Sequence, residues 1–442
     1  MTAAPRPVAG PSQAEAPRSE APQAEQPGTE QPSTEQPGTE QPGTEQPAAW
    51  LPQAARPGAA VVTGLGIAVP DAVDQQRLWE DRFDDHFGGS PLARRIFAGA
   101  GVRQRHTVVD LAVESPHDWS TAERMRRYAR EAPGLGHRAV VAALADAGLA
   151  ARDVGQLTVA SCTGYDTPGL DIRLAGSLGL EPGTQRLLVG HMGCYAALPA
   201  LGSAADFVTA RGRPAVLLCL ELPSLHLQPP TDEVQQVVTH ALFGDAAVAL
   251  VLLPGGSGTV RGAAATGAAA MAAMAAMAAT AAASAGPEVS RGRDGLELVD
   301  LVAHTDPTTA DLMTWRVTDH GFRMGLSAAV PDVLATQVRP VTERLLTRHG
   351  LDVADVAGWA VHPGGPRILE TVEGELDLAP DALDASRAVL AEYGNCSSPT
   401  VLLVLDRLSH GPRPADGAPV VAMAFGPGLT LYAALFRVRR RG

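Results

Sequence analysis

From residue 59 onward, short continuous apolar runs alternate with amphipathic stretches, and this alternation confines the chain to layered α/β architectures. The segments 59–69 (AAVVTGLGIAV), 186–193 (RLLVGHMG), 214–222 (PAVLLCLEL) and 246–253 (AAVALVLL) read as buried strands, rich in branched residues and bounded by Gly or Pro, and 157–164 (LTVASCTG) reads as a strand running into a turn. Between them, 74–87, 121–131, 137–149, 169–180 and 194–212 have helical spacing. After residue 295 the texture returns: strands at 296–304, 358–362 and 418–438, and a helix after Val330. The second half repeats the texture of the first, as a duplicated fold would.

Two stretches stand apart. From Glu25 the sequence repeats with period five (EQPGT, EQPST, EQPGT, EQPGT, EQPAA), too polar to offset the cost of ordering, so residues 1–58 are expected to form a disordered tail. The Ala-rich run 262–286, with Met271, Met274 and Met277 at helical spacing, is long enough to span a bilayer. It lacks large apolar residues other than Met, so a surface insertion is the expectation. The expected division is therefore tail 1–58, a first half 59–255, an insertion and linker 256–294, and a second half 295–442.

The formal net charge of −13 argues against wholesale nucleic-acid binding, which needs cations to displace phosphate counterions. Seven Glu and three Arg place −4 of it within residues 1–58. There is no lysine, so any phosphate contact must use Arg, backbone N–H groups or a helix N-terminus. Cys162, Cys194, Cys219 and Cys396 form no CxxC pair and no zinc pattern. With no basic-then-apolar leader at the N-terminus, reduced thiols in the cytoplasm are expected.

Cys194 follows a strand and a Gly-bounded sharp turn, and reads as the first residue of a helix. Unpaired N–H groups and partial positive charge there favour thiolate, although a buried packing cysteine reads the same way. His362 ends an apolar strand and precedes Pro-Gly-Gly, the end of a strand that faces a ligand crevice in layered folds; a satisfied core histidine fits too. Asn395 follows Gly394, between a helix and a segment legible as either helix or strand, where Asn is often only a turn residue.

Taken together, GHMGCYAALPAL, ALFGDAAVAL, WAVHPGGPRILE, YGNCSSPTVLLVLD and FGPGLTLY resemble the chalcone synthase-like type III polyketide synthases in order and spacing, over roughly residues 59–440. The resemblance implies a thiolase-like αβαβα fold of two pseudo-repeated halves and a homodimer with its interface near 160–170. It implies Cys194 as the acyl-accepting nucleophile, with His362 and Asn395 as its partners and Phe243 as a gate between CoA tunnel and cavity. Cys162, Thr163, Thr167, Trp315, Met324 and Ser397 correspond to cavity-lining positions. Arg95 corresponds to a CoA-contacting arginine, with Arg94 and Arg103 beside it; Leu92 and Gly99 stand where plant-type members carry lysines.

The substrates so implied are an acyl-CoA starter, of fatty acyl type, and malonyl-CoA, with no metal, no redox cofactor and no membrane span. A malonyl-primed synthase of tetrahydroxynaphthalene type is the alternative. More remote are a ketoacyl-carrier-protein synthase, which normally lacks HPGGP and the FGPG loop, and a non-catalytic subunit.

Overall fold

The computed structural model describes residues 59–255, 295–411 and 414–440; the period-five stretch and the Ala-rich run lie outside them. The strands are β1 (Ala60–Ala68), β2 (Ala72–Asp74), β3 (Gln104–His106), β4 (Gln156–Ala160), β5 (Gln185–Val189), β6 (Ala215–Glu221), β7 (Ala246–Pro254), β8 (Gly295–Thr305), β9 (Met313–Thr318), β10 (Gly321–Leu326), β11 (Gly358–Val361), β12 (Pro419–Gly426) and β13 (Thr430–Arg439).

Among the described residues, nine strands form one mixed sheet in the order β11-β12-β13-β8-β1-β7-β6-β4-β5. Two register pairs join β1 to β8 at its centre, Val61 with Glu297 and Val62 with Leu296. Outward from that seam the pairings run antiparallel, antiparallel, parallel on both sides: β1-β7-β6-β4 on one, β8-β13-β12-β11 on the other. The repeated texture of the sequence is therefore a repeated topology, with β5 the extra edge strand.

The layers follow from which faces are apolar. The helix Thr121–Ala147 covers the outer face of the first half, and the helix Val330–Thr347 that of the second. Between the two halves lie the helices Ala197–Arg211 and Pro399–His410, whose burial extends around most of their circumference. Leu198, Leu201, Val401, Leu402 and Val404 are fully buried there, each contributing roughly 1.5–3 kcal/mol of burial free energy. This is the expected αβαβα order.

One helix, Thr121–Ala147, replaces the two expected at 121–131 and 137–149. A capping box between Ser120 and Glu123 starts it, Gly148 in the left-handed conformation ends it, and Pro133 is accommodated within. The helix lies so close to β1 that a Cβ on Gly66 would stand 2.2 Å from the Ala139 carbonyl oxygen. The expected helix 74–87 is broken into a short turn, a π-helical stretch Trp79–Phe83 and a further turn. The strand expected within 157–164 ends at Ala160, and residues 161–164 form the expected turn, which meets Glu221.

Candidate active site

The two central helices begin at the same place. Cys194 lies in a 3-10 turn, Gly193–Tyr195, that leads into the helix Ala197–Arg211, so it precedes the α-helix instead of opening it. Asn395 and Ser397 lie just before the helix Pro399–His410. His362 follows β11, its N–H donating to the Met423 carbonyl at 2.8 Å. The side chains of Cys194, His362 and Asn395 line one cavity of about 590 Å³, a size typical of ligand sites. Its wall is otherwise mostly apolar and includes Ile96, Phe243, Met324, Leu326, Leu334 and Phe425.

The turn at Cys194 needs glycine. Gly193 has φ +72°, and a Cβ there would stand 2.6 Å from Pro427 Cδ. The FGPG loop is thus packed against the nucleophile turn, which explains why both motifs occur in one chain. A Cβ on Gly426 would likewise press on Tyr195 and on the Cys194 amide, at 2.9 and 3.2 Å.

Asn395 is fixed through both backbone and side chain. Its N–H donates to Leu242 O at 2.8 Å, and its carbonyl accepts from Gly244 N at 3.1 Å. Its Oδ1 accepts from Ser397 N at 2.8 Å, which leaves the NH₂ end as a donor, 3.5 Å from Gly364 O. Arg105, fully desolvated, braces the other side of this bridge: it donates to the carbonyls of His240, Ala241 and Phe243 and to Gln75. A cation at that helix C-terminus suits the dipole of the helix Val234–Leu242.

Burial dominates the electrostatics. It pushes the Cys194 thiol up to about 12, against a lowering hydrogen bond from Ser397. It pushes the His362 imidazole down to about 3, and neither ring nitrogen has a hydrogen-bond partner. The sequence favoured a thiolate at Cys194. Burial outweighs the helix terminus, and both shifts favour the neutral thiol and the neutral imidazole. Alkylation of Cys194 by iodoacetamide, followed by peptide mass spectrometry, is therefore expected to accelerate about tenfold per pH unit from pH 7 to 9, because the thiolate fraction does. A rate already on its plateau below pH 7 would instead mean a thiolate–imidazolium pair.

The remaining candidates separate into groups. Phe243 and Met324 stand in the cavity wall and also border a second, water-sized chamber of about 40 Å³. Trp315 lines that chamber, edge-on to His226 and Phe322, its indole N–H donating to Cys162 O at 2.9 Å. Cys162, Thr163 and Ser397 are buried in a polar cluster that does not border the larger cavity. Ser397 bonds the Cys194 thiol, and its Oγ lies 3.9 Å from Cys162 Sγ. Thr167 is exposed on its loop and does not border this cavity. Arg94 pairs with Asp84 at 3.4 Å and Arg103 with Glu392 at 3.7 Å; neither they nor Arg95 border the cavity.

Sequence reasoning missed Glu221, fully buried at the end of β6. It accepts from Cys162 N, Thr163 Oγ1 and Ser398 Oγ at 3.0, 2.7 and 3.0 Å, and burial still lifts its carboxyl to about 7. The signal was present: one acidic residue closing an otherwise apolar strand needs buried partners.

The family model for chalcone and stilbene synthases, N-terminal domain, matches residues 52–256, and that for the C-terminal domain matches 297–439. The chain is 35% identical to 1,3,6,8-tetrahydroxynaphthalene synthase of Streptomyces peucetius subsp. caesius, over 78% of this chain and 83% of that one. It is 30% identical to the alpha-pyrone synthesis polyketide synthase-like Pks18 of Mycobacterium tuberculosis, over 86% and 92%. Among solved structures, 1,3,6,8-tetrahydroxynaphthalene synthase from Streptomyces coelicolor A3(2), a bacterial type III polyketide synthase, superposes with TM-score 0.73 at 28% identity, covering 86% of this chain and all of that one.

Proposed function

Because the chain belongs to the chalcone and stilbene synthase family, we propose that it works as a type III polyketide synthase, loading an acyl-CoA starter on Cys194 and extending it with malonyl-CoA. The observation that carries this reading is the meeting of a buried thiol, an unpartnered buried imidazole and an oriented amide on one apolar cavity.

In the loading step Cys194 Sγ attacks the starter thioester carbonyl. The new S–C bond replaces the one to CoA, and the thiol proton passes through His362 to the departing CoA sulfur. Malonyl-CoA then loses CO₂, and the electron pair of the broken C–C bond stays behind as a thioester enolate. His362, in the N–H tautomer, and the Asn395 NH₂ donate to the enolate oxygen, each worth roughly 3–4 kcal/mol in a dry site. The enolate carbon attacks the Cys194 thioester, expels the thiolate and leaves the extended chain on CoA, ready to return to Cys194. The CoA thioester supplies the activation, and no cofactor enters these steps.

The apolar wall favours a fatty acyl starter, released as a pyrone or resorcinol. The malonyl-primed alternative is supported by the 35% identity to a tetrahydroxynaphthalene synthase. Mass spectrometry of products from malonyl-CoA and a ladder of acyl-CoA starters decides: product mass that tracks the starter supports the fatty acyl reading, and one starter-independent aromatic supports the alternative. No product at all would sink both.

We also propose a homodimer through the loop around Thr167, where Tyr165 and nearby Ile172 leave large apolar surface exposed. Sedimentation equilibrium should return twice the chain mass; a monomer at micromolar concentration contradicts it. Among the described residues no helix is long and apolar enough to cross a membrane, and a cytoplasmic location is part of the same proposal.

A further inference from the structure

Arg367 is the only charged side chain among the described residues that line the cavity. It lies in the first turn of the helix Pro366–Leu376, five positions beyond His362, and is exposed where His362 is buried. No described residue hydrogen-bonds or ion-pairs its guanidinium, in contrast to Arg94 and Arg103, which are engaged with Asp84 and Glu392. That first turn carries no acidic residue, starts with proline and has no side-chain cap, so its amide donors and dipole add to the same positive end. Among the described residues the cavity is thus lined by a buried thiol, imidazole and amide, an apolar wall, and the exposed guanidinium of Arg367.

A thioester with a long, weakly polar arm and an anionic far end has the complementary polarity. We propose that Arg367 receives the phosphate at the far end of the phosphopantetheine arm, a specificity contact for the substrate thioester that deepens the function proposed above and rests on it. The planar fork of arginine suits phosphate oxygens. A contact of this kind tightens the bound state without touching the reacting atoms, so its loss belongs in KM and not in kcat. The same phosphate is offered by CoA and by the arm of an acyl carrier protein, and the test separates them.

Steady-state kinetics of the full chain, its Arg367→Ala variant and its Arg367→Lys variant would be compared on an acyl-CoA and on the matching acyl-pantetheine thioester, which lacks phosphate. Arg367→Ala is expected to raise KM for the CoA thioester about tenfold with kcat within about twofold, and to leave KM for the pantetheine thioester unchanged. Arg367→Lys should recover part of the loss. Equal shifts for both thioesters, or no shift for the CoA thioester, would overturn the proposal. Calorimetric binding of free CoA to the same proteins needs no turnover. If the unmodified chain makes no polyketide, the functional reading fails, while a loss of CoA affinity in Arg367→Ala still upholds the phosphate contact and an unchanged affinity ends it. If turnover requires a carrier-protein thioester, a raised KM for that substrate in Arg367→Ala keeps the contact and reassigns its source; an unchanged KM refutes it.

Discussion

Replacing Cys194 by alanine should lower polyketide formation by roughly a thousandfold or more while malonyl-CoA is still converted to acetyl-CoA and CO₂. The split follows from the geometry. In the proposed mechanism Cys194 alone carries the acyl chain, whereas the donors to the enolate are His362, after β11, and Asn395, before the second central helix. The substitution removes one buried sulfur from a turn whose shape depends on Gly193 and the FGPG loop, so the donors should keep their places. Labelled CO₂ release and product mass spectrometry, run on one preparation, report the two steps separately. Undiminished product would exclude Cys194 as the nucleophile, and loss of both activities would tie decarboxylation to the thiol.

His362→Gln gives the complementary pattern. Acyl transfer to Cys194 and decarboxylation should both fall, each by roughly a hundred- to a thousandfold, because the imidazole relays the proton in one step and donates to the oxyanion in the other. Gln offers an N–H donor of similar reach but no base, so decarboxylation should suffer less than loading. Rapid-quench measurement of the acylated Cys194 peptide, beside CO₂ release, reads this difference. Loading at the unmodified rate would remove His362 from the proton path. Both ring nitrogens are buried and unpartnered, which costs stability in the resting protein. The variant is therefore expected to unfold at no lower temperature, and that separates a chemical defect from a folding one.

Much of this arrangement was legible because it rests on local patterns. A strand, a glycine turn and a helix announce the surroundings of Cys194; a strand ending in His-Pro-Gly-Gly announces those of His362. Even the duplication showed as repeated texture, although only pairing across β1 and β8 reveals the seam. What stayed hidden depends on contacts distant in sequence. Glu221 gathers Cys162, Thr163 and Ser398 from two other segments, and no periodicity reports that. Arg105, two positions beyond Arg103, is buried against carbonyls 135 to 138 positions away. Arg367 stands in a helix's first turn with no local pattern to mark it; its significance lies in the apolar wall beside it. Cys162 and Ser397 belong near the site but behind the thiol, a depth that spacing along the chain does not encode.

The shared starting point of the two central helices has a consequence for how the protein acquires activity. The first half brings the thiol, and the second brings the proton relay and the amide donor, so neither holds a complete reaction centre. On the mechanism proposed above, a nascent first half carries the thiol alone, and His362 and Asn395 arrive only with the second half. Recovery of activity after refolding is therefore expected to follow the closing of the seam between β1 and β8 and not the formation of either half.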